Sequence, residues 1–165
     1  MLRPPTMADA PDIQRLAGAR EVALNTLHIP HPYPDGAAEA WIVRHGTTPE
    51  MVFAIEHQGQ LIGGIGLVPD RDHERAEIGY WIGVPFWGKG FATEASREML
   101  RFAFNEQSFH RITAQVFSRN EASARVLQKI GMKCEGKLRH HFKKWGEFVD
   151  VDYYAIVRGD QSRSA

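Results

Sequence analysis

The chain has 165 residues, 43% of them apolar, with 20 Lys and Arg against 20 Asp and Glu. That fits one globular domain with a sizeable core and supplies no overall field to draw in nucleic acid or an anionic membrane. A single cysteine, Cys134, excludes an intramolecular disulfide and a thiolate metal cluster within one chain. The N-terminus has no apolar core of signal-peptide length and no run approaches a membrane span, so a soluble protein in a reducing, cytoplasmic setting is expected. One domain over residues 1–165 is expected, with its core over about 2–158 and a tail at 159–165.

Leu2 and Arg3, ahead of two prolines, make at most a stub of a strand, while residues 9–17 (DAPDIQRLA) place Ile13, Leu16 and Ala17 on one helical face. In 28–36 (HIPHPYPDG) three prolines forbid a regular helix and make a stiff loop, after which a second helix runs over 37–44. The strand-like runs 51–56 (MVFAIE) and 61–68 (LIGGIGLV) are joined by a short polar link that reads as a hairpin turn. A third long strand, 75–84 (RAEIGYWIGV), pairs with the second across a polar turn. In 92–104, Ala92, Ala95, Ser96, Met99, Phe102 and Ala103 fall at the spacing of one buried helical face. The strand 110–117 (HRITAQVF) follows a helix and should therefore lie parallel to the strand before it, in a right-handed crossover. Asn120 caps a helix over 121–130 whose Val126, Leu127 and Ile130 share a face with Ser123, and Gly131 ends it. Two final strands, around 133–142 and 148–157, flank the turn Lys144-Trp145-Gly146-Glu147. The fold class is α+β, with one parallel crossover in the middle.

The stretch 83–95 (GVPFWGKGFATEA) gathers glycines where a helix begins. A helix N-terminus exposes unpaired N–H groups and a partial positive charge, and glycines let a phosphate approach that backbone. The loop reads as an anion cradle built from main chain, with Lys89 adding a mobile positive charge; the competing reading is a tight strand-to-helix turn and nothing more. It contains no G-x-x-x-x-G-K-[ST] run, and Gly88-Lys89-Gly90-Phe91-Ala92-Thr93 departs from G-x-G-x-x-G at threonine.

Four stretches in order carry a resemblance over nearly the whole chain: an opening L-R-P followed by a helix, E-I-G-Y-W-I (77–82) running into W-G-K-G-F-A-T-E-A (87–95), N-E-A-S-A-R-V-L-Q-K-I-G-M (120–132), and V-D-Y-Y-A-I (151–156). In these the chain resembles the GNAT superfamily of acetyl-coenzyme A-dependent N-acetyltransferases, and within it the RimJ/RimL-like branch related to ribosomal-protein N-terminal acetyltransferases. The resemblance implies a central, mostly antiparallel, twisted sheet of six to seven strands. The parallel strands fourth and fifth in that sheet splay apart, and about four helices flank it. The family's pyrophosphate pattern [Q/R]-x-x-G-x-[G/A] lands on Trp87, Gly88, Lys89, Gly90, Phe91 and Ala92, with Trp87 in place of the usual glutamine or arginine. By resemblance, the backbone of Gly88, Gly90, Ala92 and Thr93 would hold the pyrophosphate of acetyl-coenzyme A. The main chain of Ile82 and Val84 would pair with its pantetheine arm, and Asn120 matches the cofactor-side asparagine.

Acetyl transfer to an amine requires a base for the ammonium, stabilisation of the oxyanion and, in some cases, a proton for the thiolate. Glu77, a carboxylate in a mostly apolar strand, occupies the family position often assigned to the base; alternatively it pairs with Arg75 or another arginine. The tyrosine acid that many members carry after the leucine of the last helix is missing, because Leu127 is followed by Gln128. The resemblance offers Ser123 in its place. A helix serine can equally bond its own backbone, and loss of Ser123 is expected to cost little. Cys134 reads as a core residue, and the adjacent His140 and His141, pointing to opposite faces of a strand, do not suit one metal ion. Tyr33 and Trp41 are candidates to line an amine pocket, or else they cap the core. The expected partner is an amine acceptor, a peptide N-terminus or a small molecule such as a polyamine, amino acid or aminoglycoside; the rival from another class is a non-catalytic acyl-coenzyme A sensor. No nucleic-acid or membrane partner is expected, and a monomer and a homodimer both remain open.

Overall fold

The computed structural model describes residues 1–163. Leu2–Arg3 (β1) leads through a short 3-10 turn, Met7–Asp9, into the helices Ala10–Ala17 (α1), Arg20–Leu24 (α2) and Ala37–His45 (α3). The strands Met51–His57 (β2), Gln60–Asp70 (β3) and Arg75–Ile82 (β4) follow, then Phe91–Asn105 (α4), Arg111–Phe117 (β5), Glu121–Lys129 (α5), Lys133–Lys144 (β6) and Glu147–Val157 (β7). The seven strands form one sheet in the order β1-β2-β3-β4-β5-β7-β6, antiparallel everywhere except between β4 and β5. This is the α+β arrangement expected, with α2 as an addition: it is too short for its periodicity to stand out, and only tertiary burial of Val22 and Ala23 sustains it. Part of the expected tail is ordered as the 3-10 segment Arg158–Arg163, and residues 164–165 lie outside the described residues.

The pleat divides the core in two. On one face Ile78 and Ile82 of β4 and Ile112, Ala114 and Val116 of β5 pack under α4 and α5, with Met99, Ala103 and Phe104 fully enclosed. Burial of each large side chain there is worth about 1.5–3 kcal/mol. The face of α4 is broader than its expected stripe: Leu100 and Phe104 are buried, while Ala92 and Phe102 are only partly covered. On the opposite face Ile13, Leu16 and Ala17 of α1 pack with Ala38, Ala54 and Leu61. Neighbouring β3 glycines make room here, since a Cβ on Gly64 would stand 2.7 Å from the Trp81 indole. The proline loop is pinned at one end by the buried Lys144, whose Nζ donates to the carbonyls of Leu27 (3.3 Å) and Ile29 (3.0 Å). Among the described residues no helix is long and apolar enough to cross a membrane.

The N-terminal stub is held by charge. Arg3 donates to both Asp9 oxygens (2.8 and 2.7 Å) and to Glu56 Oε2 on β2 (2.5 Å). The Arg3 guanidinium holds the Asp9 carboxyl down from the ordinary 3.8 to about 2. A depressed carboxylate stabilises the fold above its unfolded pKa and loses that contribution as pH falls through its folded one. Between pH 4 and pH 2 the urea midpoint should therefore fall more steeply in the unaltered protein than in Asp9→Asn, the difference corresponding to about 2 kcal/mol.

Candidate active site

Strands β4 and β5 stay together for three rungs, Arg75 opposite Arg111, Ala76 opposite Ile112 and Glu77 opposite Thr113, and then part. Each keeps its other neighbour: β4 remains paired with β3 out to Ile82, and β5 with β7 out to Phe117. The result is a wedge in the middle of the sheet, with Glu77 at its apex. The strand expected over 75–84 ends at Ile82, because Val84 enters a 3-10 turn, Val84–Phe86, whose central proline cannot extend a ladder. Two carbonyls at this end are already engaged: Ile82 accepts from Trp87 Nε1 (2.7 Å) and Val84 accepts from the Trp87 amide (3.1 Å). Trp87, at the position where the family motif has glutamine or arginine, thus braces the strand end.

At the mouth of the wedge the glycine loop turns into α4. Gly88 and Gly90 take φ of +73° and +86°, and a Cβ on either would meet no protein atom within 4 Å. Gly90 is the N-cap of α4 and has no side chain to bond the N–H groups behind it. The first turn, Phe91, Ala92 and Thr93, therefore presents backbone donors that only an outside acceptor can satisfy. Phe91 anchors that turn, its ring 4.6 Å from His57 and 6.4 Å from Phe86, and Lys89 Nζ lies 5.6 Å from the Phe86 ring. Open glycines, an uncapped helix start and a basic side chain suit a pyrophosphate.

Alternation along β4 sends chemistry to both faces of the wedge. On the face away from α4, half-buried Glu77 accepts a hydrogen bond from Gln115 Nε2 of β5 (3.0 Å). Arg75, the cation expected as a possible partner, instead donates to Asp70 (2.8 Å), so Glu77 is not tied to it. On the α4 and α5 face, Tyr80 and Ser123 hydroxyls bond each other at 2.8 Å, spanning from β4 to the first turn of α5. Burial pushes the Tyr80 pKa up from 10.0, partly opposed by the Ser123 hydrogen bond. Asn120 caps α5, its Oδ1 accepting from the Ser123 amide (3.1 Å), which orients the serine toward Tyr80.

Gln115, Tyr80 and Gly79 are additions to the sequence reading. Gln115 could have been found as an amide between Ala114 and Val116 in the apolar half of β5, and Gly79 as a lone glycine in a strand, which often marks close approach of a ligand. A Cβ on Gly79 would meet nothing within 4 Å. Tyr33 and Trp41 both pack, partly buried, on the apolar cluster around α1, which also takes in Trp81 of β4, and the Trp41 ring is tilted against His45 at 4.5 Å. Cys134 corrects the expectation of a core residue, since it is exposed on β6, an edge strand that the rest of the sheet leaves uncovered. His140 and His141 lie where the β6–β7 register breaks between Leu138 and Phe142, each against a phenylalanine ring. Among the described residues no group of three His, Cys, Asp or Glu side chains could hold a metal ion.

Comparison with known proteins bears on the family and the fold. The model of the family described as "Acetyltransferase (GNAT) domain" matches residues 1–133. The uncharacterized N-acetyltransferase YoaA of Bacillus subtilis is 41% identical over 100 residues, covering 60% of this chain and 56% of that protein. The L-amino acid N-acetyltransferase AaaT of Escherichia coli is 29% identical over 150 residues, covering 88% and 90%. The crystal structure of spermidine N-acetyltransferase from Vibrio cholerae, with CoA and spermine, superposes with a TM-score of 0.85 at 25% identity over 97% of this chain and 96% of that one. The chain spans between half and two thirds of the length of several curated relatives it matches, 56% of YoaA and 59% of p20 from Bacillus licheniformis.

Proposed function

This chain belongs to the GNAT acetyltransferase family, and from that premise we propose that it binds acetyl-coenzyme A in the wedge and passes the acetyl group directly to a primary amine in a ternary complex. The carrying observation is the wedge itself: an uncapped helix start at its mouth, a carboxylate at its apex on one face and a hydroxyl pair on the other. Acetyl-coenzyme A, when bound, supplies the activated acyl group and the thiolate leaving group. Gly88, Lys89, Gly90, Phe91, Ala92 and Thr93 would hold its pyrophosphate, Ile82, Val84 and Asn120 would flank its arm, and Glu77 would take the proton of the amine. Ser123, held by Tyr80, stands where a proton can be offered on the opposite face.

The acceptor is a single amine, a protein N-terminus as in the RimJ/RimL-like branch. Glu77 is the carboxylate that the wedge itself presents, which suits a single ammonium group better than a polyamine. A free amino acid is the second reading, favoured by the match to AaaT along 90% of its length.

Thiol release from acetyl-coenzyme A across N-terminal peptides, amino acids, polyamines and aminoglycosides tests the proposal. Amine-dependent release on the first two groups is expected; tight coenzyme A binding with no release on any amine would identify a sensor. Gly79→Leu supplies a second check. Its backbone is not left-handed and its Cβ has room, so the fold and coenzyme A affinity should persist. The side chain would stand in the wedge between Glu77 and Trp81, and acceptor turnover should fall about 100-fold.

A further inference from the structure

Lys144 is the only lysine or arginine among the described residues that is buried, and none of the ion pairs there involves it. Lysine is rarely enclosed without an ionic partner, and its ammonium lowers stability unless its N–H groups are bonded. The bonds Lys144 makes go to main-chain carbonyls of one loop, Leu27 (3.3 Å) and Ile29 (3.0 Å). A buried cation thus fixes a short stretch of backbone, and the course of that stretch shows what the fixing achieves.

The loop crosses the wedge. On the Glu77 face the sheet carries two separate apolar clusters, one around α1 that takes in Trp81 of β4, and one of Phe117 of β5 with Val149 and Val151 of β7. Trp81 lies four residues beyond Glu77, and Phe117 lies four beyond Thr113, the residue opposite Glu77. The clusters therefore flank the gap at one height, roughly 13 Å from the apex at the strand rise of about 3.3 Å per residue. Leu27 packs on the β5–β7 cluster, whereas Ile29 and Tyr33 pack on the α1 cluster. Residues 27–29 thus bridge the gap, and Lys144 holds a carbonyl at each end of the bridge. The chain on either side is tied in the same way: Arg119, just past β5, donates to the Leu24 carbonyl (2.9 Å), and Gln14 of α1 to that of Tyr33 (3.1 Å).

We propose that Lys144 is the positioning residue for this bridge, and that the bridge walls the wide end of the wedge on the face where Glu77 meets the acceptor amine. This rests on the reading of the wedge as an amine-acetylating site. Backbone held in advance gives an acceptor a wall that need not be ordered on binding, so loss of the pin shows as weaker acceptor binding. The start of α4, where the cofactor's pyrophosphate would sit, packs with Phe91 and Ala92 on the cluster of the opposite face, so cofactor binding does not depend on the bridge.

Lys144→Met removes the ammonium while filling the buried site with an unbranched apolar side chain. Amide hydrogen exchange over residues 27–31 is expected to quicken about tenfold, and the KM for tri-alanine and L-methionine to rise about tenfold, with kcat and coenzyme A affinity unchanged. Leu27→Ala, which removes the apolar foot of the bridge and leaves Lys144 in place, should raise KM in the same sense and carries the test if the methionine variant does not fold. Unchanged exchange in Lys144→Met would show that Lys144 does not pin the bridge, and quickened exchange with unchanged KM would show that the bridge is no part of the acceptor site; either overturns the assignment. A parallel fall in coenzyme A affinity would mark a general loosening of the fold and overturn it equally. Failure of the unaltered protein to acetylate either acceptor would instead overturn the acetyl-transfer reading, and the assignment with it.

Discussion

Replacing Gly90 with valine is expected to lower coenzyme A affinity by at least about 100-fold while the sheet stays folded. Gly90 is the N-cap of α4 at φ +86°, and a Cβ there projects into open space above the helix start instead of into protein. Several backbone N–H bonds to a charged pyrophosphate, each worth about 1.5–3 kcal/mol, would lose their acceptor. The left-handed backbone adds a strain of about 1–2 kcal/mol for any L side chain, which must be separated from the loss of binding. Gly59 provides the control: it sits in the β2–β3 turn at φ +79°, also with nothing within 4 Å. Gly59→Val should cost similar stability by urea denaturation and leave affinity by calorimetry intact. Retained affinity in Gly90→Val would remove the cradle.

Glu77→Gln is expected to slow turnover near pH 7 by about 100- to 10,000-fold, the range of a positioned general base. The substituted amide keeps the size of the side chain and can still accept from Gln115, so the wedge should keep its shape. The loss should shrink as pH rises, because the acceptor then loses its proton to solvent: near pH 8 for an α-amine and above about 10 for an alkylamine. The pH at which the two rate profiles converge therefore also reports the class of amine. Parallel profiles at all pH values would exclude Glu77 as the base. Its freedom for this role is visible in the ion pairs, since its strand neighbour Arg75 is spent on Asp70.

Much of this arrangement was legible in the chain because it is local. The period of 92–104 announces α4, and the polar turn 58–60 announces a hairpin. The intervening helix dictates that β5 run parallel to β4, and Gly88 and Gly90 mark a strand-to-helix turn, which the structure makes with a left-handed backbone at both. Asn120 as a cap and Gly131 as a stop follow from side-chain and backbone preferences that need no partner. The misses are instructive for the same reason. Cys134 has the composition of a core residue, yet it lies on β6, the edge strand, and what covers an edge depends on the rest of the sheet. Tyr33 and Trp41 lie in a loop and a helix whose sequence does not announce their contact with the cluster around α1 and Trp81.

The sequence by itself determined the order of elements apart from α2, the glycine turn and the identity of Glu77 and Ser123 as the groups worth following, since each is written in spacing, conformational preference or motif over a few residues. Only the tertiary structure decided that β4 and β5 part after three rungs, that Gln115 meets Glu77 across 38 positions of chain, and that Tyr80 meets Ser123 across 43. Those meetings depend on the register of strands and the crossing of helices over the sheet. Register is set by the summed burial of two apolar faces and not by any residue in the pair it creates.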